Sequence, residues 1–234
     1  MLFKKKPKKA ARDNKRRLVT MTSPKSPVSE QYRTVRTNIE FSAVDEEIRS
    51  IMVTSSGPGE GKSTTVSNLA VVFANQGKKV LLVDADLRKP TAHYTFDVNN
   101  ITGLTNVLTK RTTLEKAVVE TKEPSLFILP SGPIPPNPAE LLGSKAMQDF
   151  LEEAYQEFDM VLFDTPPVLA VADAQILANH CDGSILVTRS GETEIEQAEK
   201  ARDLLQSAKG KLLGAVLNHK KLQDSQYYYY YGGK

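Results

Sequence analysis

Ser50-Ile51-Met52-Val53-Thr54-Ser55-Ser56-Gly57-Pro58-Gly59-Glu60-Gly61-Lys62-Ser63-Thr64 is the stretch that decides the fold. A short apolar run leads into a glycine-rich turn, and a helical pattern opens at Lys62. A phosphate-binding loop asks for Gly, four residues, then Gly-Lys-Ser/Thr. Gly61-Lys62-Ser63 fit that pattern, while Ser56 stands at the first glycine position. The physical requirements are still met. Gly57, Gly59 and Gly61 let backbone N–H groups turn toward a phosphate with no Cβ in the way. The helix start adds its positive dipole end. Pro58, Glu60 and Thr64 complete the loop, Lys62 can reach the β- and γ-phosphates of ATP, and the Ser63 hydroxyl can ligate Mg²⁺. The bland alternative is a turn with a surface lysine, and a strand before it and a helix after it argue against that.

Working outward, apolar runs alternate with helical patterns. Strands are expected at 50–55, 79–84, 125–130, 160–164, 184–188 and 212–217. Most are continuous apolar runs, the signature of strands buried on both faces of a parallel sheet. Helices are expected at 29–42, 62–76, 104–109, 138–158, 173–179 and 193–208, the first capped by Ser29 and the fourth announced by Asn137-Pro138 with Glu140 at its third position. Alternation of this kind gives right-handed crossovers and an α/β fold, a doubly wound, mostly parallel sheet flanked by helices. In such sheets ligands bind beyond the carboxyl ends of the strands.

Carboxylates sit at those ends. Val80-Leu81-Leu82-Val83 runs into Asp84-Ala85-Asp86-Leu87-Arg88-Lys89-Pro90, and Met160-Val161-Leu162-Phe163 runs into Asp164-Thr165-Pro166-Pro167. If the strand persists, Asp84 and Asp86 point to one side. A single Asp at a strand end reads as a turn cap; three beside a phosphate loop read as catalytic residues and, with Ser63, as holders of Mg²⁺ or its water shell.

The 234 residues, 40% hydrophobic and 25% charged, suit one globular domain with tails and exclude collagen, coiled coil and wholesale disorder. One cysteine, Cys181, excludes a disulfide framework. No apolar segment reaches the ~18 residues a membrane span requires, so a cytoplasmic location is expected. The net charge of +3 conceals an asymmetry: residues 1–17 hold nine Lys/Arg against Asp13 alone, which leaves 22 basic against 27 acidic residues elsewhere. Residues 1–28 read as a basic, flexible lead, either a solubilising end or one drawn to an anionic membrane surface. Nucleic acid is not expected as a partner, because no aromatics are interleaved with these charges. Residues 29–221 form the domain, and 222–234 form a tail in which Tyr227, Tyr228, Tyr229, Tyr230 and Tyr231 are consecutive.

The loop Pro58-Gly59-Glu60-Gly61-Lys62-Ser63-Thr64, the Asp84-x-Asp86-Leu87-Arg88-x-Pro90 stretch and Asp164-Thr165-Pro166-Pro167 resemble the bacterial tyrosine kinases. These are P-loop autokinases tied to capsule and exopolysaccharide synthesis, and the likeness is to the separate soluble type common in Firmicutes. The resemblance implies an ATP- and Mg²⁺-dependent kinase that phosphorylates the tyrosine tail of a neighbouring subunit. Lys62, Asp84, Asp86 and Asp164 are then catalytic. Asn218 is a candidate adenine contact, as in related P-loop proteins. Glu30-x-x-Arg33-x-x-Arg36 reads alone as an exposed ion pair on one helical face; the resemblance makes it a contact between subunits of a ring, an octamer among the sizes considered. Further implied partners are a transmembrane adaptor that activates the kinase at the inner face of the membrane, a cognate tyrosine phosphatase, and protein substrates such as sugar-nucleotide enzymes. The competing reading is a partitioning-type ATPase that hydrolyses ATP without phosphorylating protein. Such ATPases carry an extra lysine early in the loop, where this chain has Gly57.

Overall fold

The computed structural model describes residues 18–42 and 47–220. Its centre is a seven-stranded sheet built from β1 (Ser50–Ser55), β2 (Val80–Asp84), β3 (Val119–Glu120), β4 (Leu126–Leu129), β5 (Met160–Asp164), β6 (Gly183–Arg189) and β7 (Lys211–Asn218). The order across the sheet is β3-β4-β2-β5-β1-β6-β7. Only β3 runs antiparallel, pairing with β4 at the edge. All residues of β1, β2 and β5 are buried, which is why their sequences show no polar alternation.

Alternate side chains nevertheless enter different cores. Ile51, Val53, Leu82 and Leu162 join one apolar cluster with Val66, Leu69 and Phe73 of α3 (Lys62–Ala74). Met52, Leu81, Val83, Val161 and Phe163 join the opposite cluster. Helices α5 (Leu104–Leu108), α8 (Lys145–Glu157), α9 (Asp173–Ala178) and α10 (Ile195–Gln206) close that second face. With each large apolar side chain contributing roughly 1.5–3 kcal/mol, the two layers clamp the strands so that their carboxyl ends form one rigid edge.

Every expected strand is present within two residues of its expected ends. The differences lie elsewhere. The lead expected through residue 28 is packed from Leu18 onward. Leu18 is buried, α1 (Val19–Thr22) follows, and Asn68 Oδ1 on α3 accepts from Thr20 N at 3.1 Å and from Thr20 Oγ1 at 2.8 Å. A four-residue helix held by tertiary contacts leaves no periodicity to read. Helix α2 (Pro27–Ser42) begins two residues before its expected start, and its cap is Ser26, whose Oγ accepts from Ser29 N at 3.2 Å. Ser29 is buried inside the helix and donates to Ser23 O at 2.8 Å.

The expected helix 138–158 is two helices, α7 (Pro138–Leu142) and α8, broken at Gly143-Ser144. Asn137 and Pro138 do start α7, but the Asn137 amide donates to the Glu140 carboxylate at 2.9 Å instead of capping the backbone. Strand β3 and the short helices α4 (Ala92–Phe96) and α6 (Leu114–Ala117) were not anticipated, being too short to show a period. Among the described residues no helix is long and apolar enough to cross a membrane.

Candidate functional site

The edge formed by β1, β2 and β5 carries the loop and the carboxylates. After Ser55 the chain wraps through residues 56–61 into α3, with Gly61 at the helix N-cap in the left-handed region, φ 98°. A Cβ on Gly61 would also lie 1.9 Å from Asn218 Nδ2, so only glycine fits. Pro58, Gly59, Gly61, Lys62, Ser63 and Thr64 form one wall of a cleft of about 530 Å³. The lining is completed by Asp86, Arg88, Lys89, Thr91, Pro166, Pro167, Ala170, Val171 and His219.

Glu60 lies behind the loop. It is buried, and its Oε1 accepts from Ser56 Oγ at 2.7 Å and Thr193 Oγ1 at 2.5 Å. Its Oε2 accepts from Gly57 N at 3.1 Å. The Gly57 N–H, expected to face a phosphate, is therefore spent inside the protein, and Glu60 braces the loop from behind. Arg189 Nη1 donates to Gly59 O at 3.3 Å, tying the loop's outer turn to β6.

Lys62 occupies the middle of the site. Its Nζ lies 3.3 Å from Asp86 Oδ2, 3.5 Å from Asp164 Oδ1 and 3.4 Å from Ser63 Oγ. Burial alone would lower the Lys62 pKa, but the carboxylates of Asp164, Asp86 and Asp84 hold it above its ordinary value. Asp84 and Asp164 are register partners on adjacent strands. Asp84 is wholly buried, and its Oδ2 accepts from Thr91 N and Ala92 N at 2.9 Å each, fixing the start of α4. Burial first, and the Asp164 charge second, push the Asp84 carboxyl up to about 7.

Asp86 reaches the site by a turn and not by continued strand. β2 ends at Asp84, and Asp86 Oδ1 accepts from Lys89 N at 3.0 Å. The donors Ser63 Oγ, Asp84, Asp86 and Asp164 are all hard oxygens, and the buried Asp84 Oδ1 has no hydrogen-bond partner. That chemistry suits Mg²⁺. Among the described residues no three His, Cys, Asp or Glu side chains converge as a metal cluster.

The chain matches the AAA domain family over residues 48–201. It is 61% identical over 219 residues to the tyrosine-protein kinase YwqD of Bacillus subtilis (strain 168), which covers 94% of this chain and 92% of that protein. The chain belongs to the bacterial tyrosine-protein kinases. The crystal structure of the chimerical protein CapA2B2 superposes with a TM-score of 0.85 at 40% identity, covering 88% of this kinase and 90% of that chain. The septum site-determining protein MinD from Pyrococcus horikoshii OT3, complexed with Mg-ADP, superposes at 0.63 with 25% identity, covering 77% and 76%. The kinase is thus a P-loop α/β domain of the class expected from its sequence.

Other expected site residues of the kinase lie apart from this cluster. Asn218, at the end of β7, donates from Nδ2 to Glu60 O at 2.9 Å and so packs against the loop beside Gly61. On α2, Arg33 pairs with Glu30 and donates to Pro24 O at 2.6 Å. Arg36 turns inward, donating to Val72 O at 3.1 Å with Glu40 beside it at 3.8 Å. Within one chain these three residues already have partners. Tyr227, Tyr228, Tyr229, Tyr230 and Tyr231 lie outside the described residues. Sequence reasoning missed Asp173 and Thr193. The pattern holds no signal for either, because each meets its partner only through the fold.

Proposed function

We propose that this kinase transfers the γ-phosphoryl group of Mg²⁺-bound ATP to tyrosines 227–231 of an adjacent copy. The observation that carries the reading is Lys62 at the start of α3, held between Asp86 and Asp164 on the cleft wall. These carboxylates hold the ammonium where an arriving triphosphate takes it over. The loop amides of 58–62 and the α3 N-terminus align the phosphates. Ser63, with Asp84 and Asp164 directly or through waters, would hold Mg²⁺, which neutralises charge on the β- and γ-phosphates.

Asp86 faces the cleft and accepts a hydrogen bond from the incoming tyrosine hydroxyl. That oxygen bonds to the γ-phosphorus as the bond to the β–γ bridging oxygen breaks, ADP leaves, and the phenolic proton passes to Asp86 or water. Tyrosine titrates near 10 and aspartate near 4, so Asp86 does not strip the proton beforehand. Its service is alignment, which a loose transition state rewards more than basicity. The nucleotide-hydrolysing alternative draws support from the likeness to MinD, but Gly57 in place of an early loop lysine and the five-tyrosine tail support transfer to protein.

In this reading Glu30, Arg33 and Arg36 contribute to packing between copies in a ring. A membrane adaptor docks on the kinase and activates it, a phosphatase reverses the reaction, and capsule or exopolysaccharide synthesis is the process regulated. The test is incubation with γ-labelled ATP and Mg²⁺, with and without residues 227–231. Label in the full chain, lost on tail deletion while nucleotide binding persists, is the expected result. Nucleotide consumption with no label on protein would refute the reading.

A further inference from the structure

Two residues beyond Asp86, the Arg88 guanidinium is held by a carboxylate. Its Nε donates to Asp173 Oδ2 at 2.8 Å and its Nη2 to Oδ1 at 3.0 Å. The Asp173 side chain is 0% exposed, whereas that of Arg88 is 42% exposed. A buried carboxylate without a partner costs several kcal/mol, and among the described residues Arg88 is the partner shown for Asp173. This two-pronged bond therefore fixes the position of Arg88 and leaves Nη1 and the outer edge of the fork uncommitted. Arg88 lines the cleft, beside Lys89, together with residues of the phosphate loop. Lys89 has no ion pair within 4 Å among the described residues.

Lys62, Ser63 and the loop amides already meet the needs of the phosphates. Asp173 balances the Arg88 charge and Asp86 adds further negative charge to that balance, so Arg88 offers uncommitted N–H donors there and Lys89 adds a positive charge. Both line the same cleft as Asp86, within reach of side chains next to a tyrosine delivered to it. Guanidinium forks select carboxylate and phosphate groups by geometry as well as charge.

We propose that Arg88, positioned by Asp173 and assisted by Lys89, is a subsite for an anionic side chain next to the acceptor tyrosine. The anion is a carboxylate or the phosphate of an already modified tyrosine. In a run of tyrosines, the first phosphate then favours modification of its neighbour. This inference rests on the kinase reading above, because it concerns the acceptor of that reaction.

The test uses the full chain with a non-hydrolysable ATP analogue and Mg²⁺. Fluorescence anisotropy measures binding of tyrosine peptides flanked by Gly, Asp, phosphotyrosine or Lys. The wild type is expected to bind at least one anionic peptide roughly tenfold more tightly than the Gly peptide, as one good charge-assisted contact allows. Gain with the Asp peptide alone assigns the subsite to carboxylates, and gain with the phosphotyrosine peptide alone assigns it to phosphate. Asp173→Asn, which keeps the shape but frees Arg88, and Arg88→Lys, which keeps the charge but loses the fork, should each bring the anionic-to-neutral ratio close to one. If Asp173→Asn does not fold, Arg88→Lys carries the comparison alone. An unchanged ratio in the folded variants, or no anionic preference in the wild type, overturns the subsite. Label transfer from ATP to the Gly peptide is measured in parallel, and its absence would count against the kinase reading without touching the binding ratio.

Discussion

Asp84 is the group whose surroundings are most at odds with its charge. Burial, then the neighbouring Asp164, lift its carboxyl from 3.8 to about 7. Between those values the folded chain holds a proton that the unfolded chain has released, so stability falls as the pH rises across that window and the penalty is complete above it. At about 1.4 kcal/mol per pH unit, the lift sets a ceiling of about 4 kcal/mol. Asp84→Asn removes the titration while keeping an oxygen to accept from Thr91 N and Ala92 N. The assay is thermal unfolding without nucleotide or Mg²⁺, at about pH 5.5 and about pH 8, with phosphate transfer measured alongside. Between the lower and the higher pH the wild type should lose more melting temperature than the variant does. At the higher pH the variant should be the more stable by up to about 4 kcal/mol, on the order of 10 °C for a chain this size, and inactive. Wild-type and variant melting curves that shift in parallel with pH would show Asp84 ionised throughout and would refute the reasoning.

Asp86→Asn should lower the rate of phosphate transfer by roughly 10²-fold or more, with ATP affinity changed far less; equal loss in both, measured by steady-state kinetics and nucleotide titration, would remove its acceptor-side role. Gly103→Ala should destabilise the domain by about 1–3 kcal/mol in urea unfolding, because the new Cβ would sit 2.0 Å from Pro130 O and 2.4 Å from Gly132 N, both backbone atoms. Asn68→Leu should cost about 1–3 kcal/mol by the same measurement, since it strips the acceptor from both Thr20 N and Thr20 Oγ1 in a buried setting; no change would mean the residues before α2 are not docked in solution.

The parts of the fold that were legible in sequence are those where one interaction dominates. Strands β1, β2 and β5 are buried on both faces, so hydrophobicity alone writes them. The loop at 56–64 is written by the backbone geometry a phosphate demands. What escaped depends on partners distant in sequence. Leu18 and Thr20 sit next to a run of basic residues; Leu18 joins the apolar cluster of α3, and Asn68, some fifty positions later, holds Thr20. Glu60 looks like one more loop residue until Thr193 and Ser56 are seen to claim its carboxylate. Asp173 is an ordinary start to a short helix until its bond to Arg88 places it under the cleft wall. Asp86 was found for an incomplete reason: alternation along a strand was expected to aim it, and a turn held by Lys89 N does so.

The central claim is that one copy's nucleotide site phosphorylates another copy's tail. The most direct measurement mixes an active kinase lacking residues 227–231 with a full-length Lys62→Met copy and follows the C-terminal peptide of the latter by mass spectrometry. The account predicts that this peptide gains phosphate only when the active copy, ATP and Mg²⁺ are all present. A peptide that never gains phosphate while the active copy consumes ATP would contradict it and leave a nucleotide hydrolase.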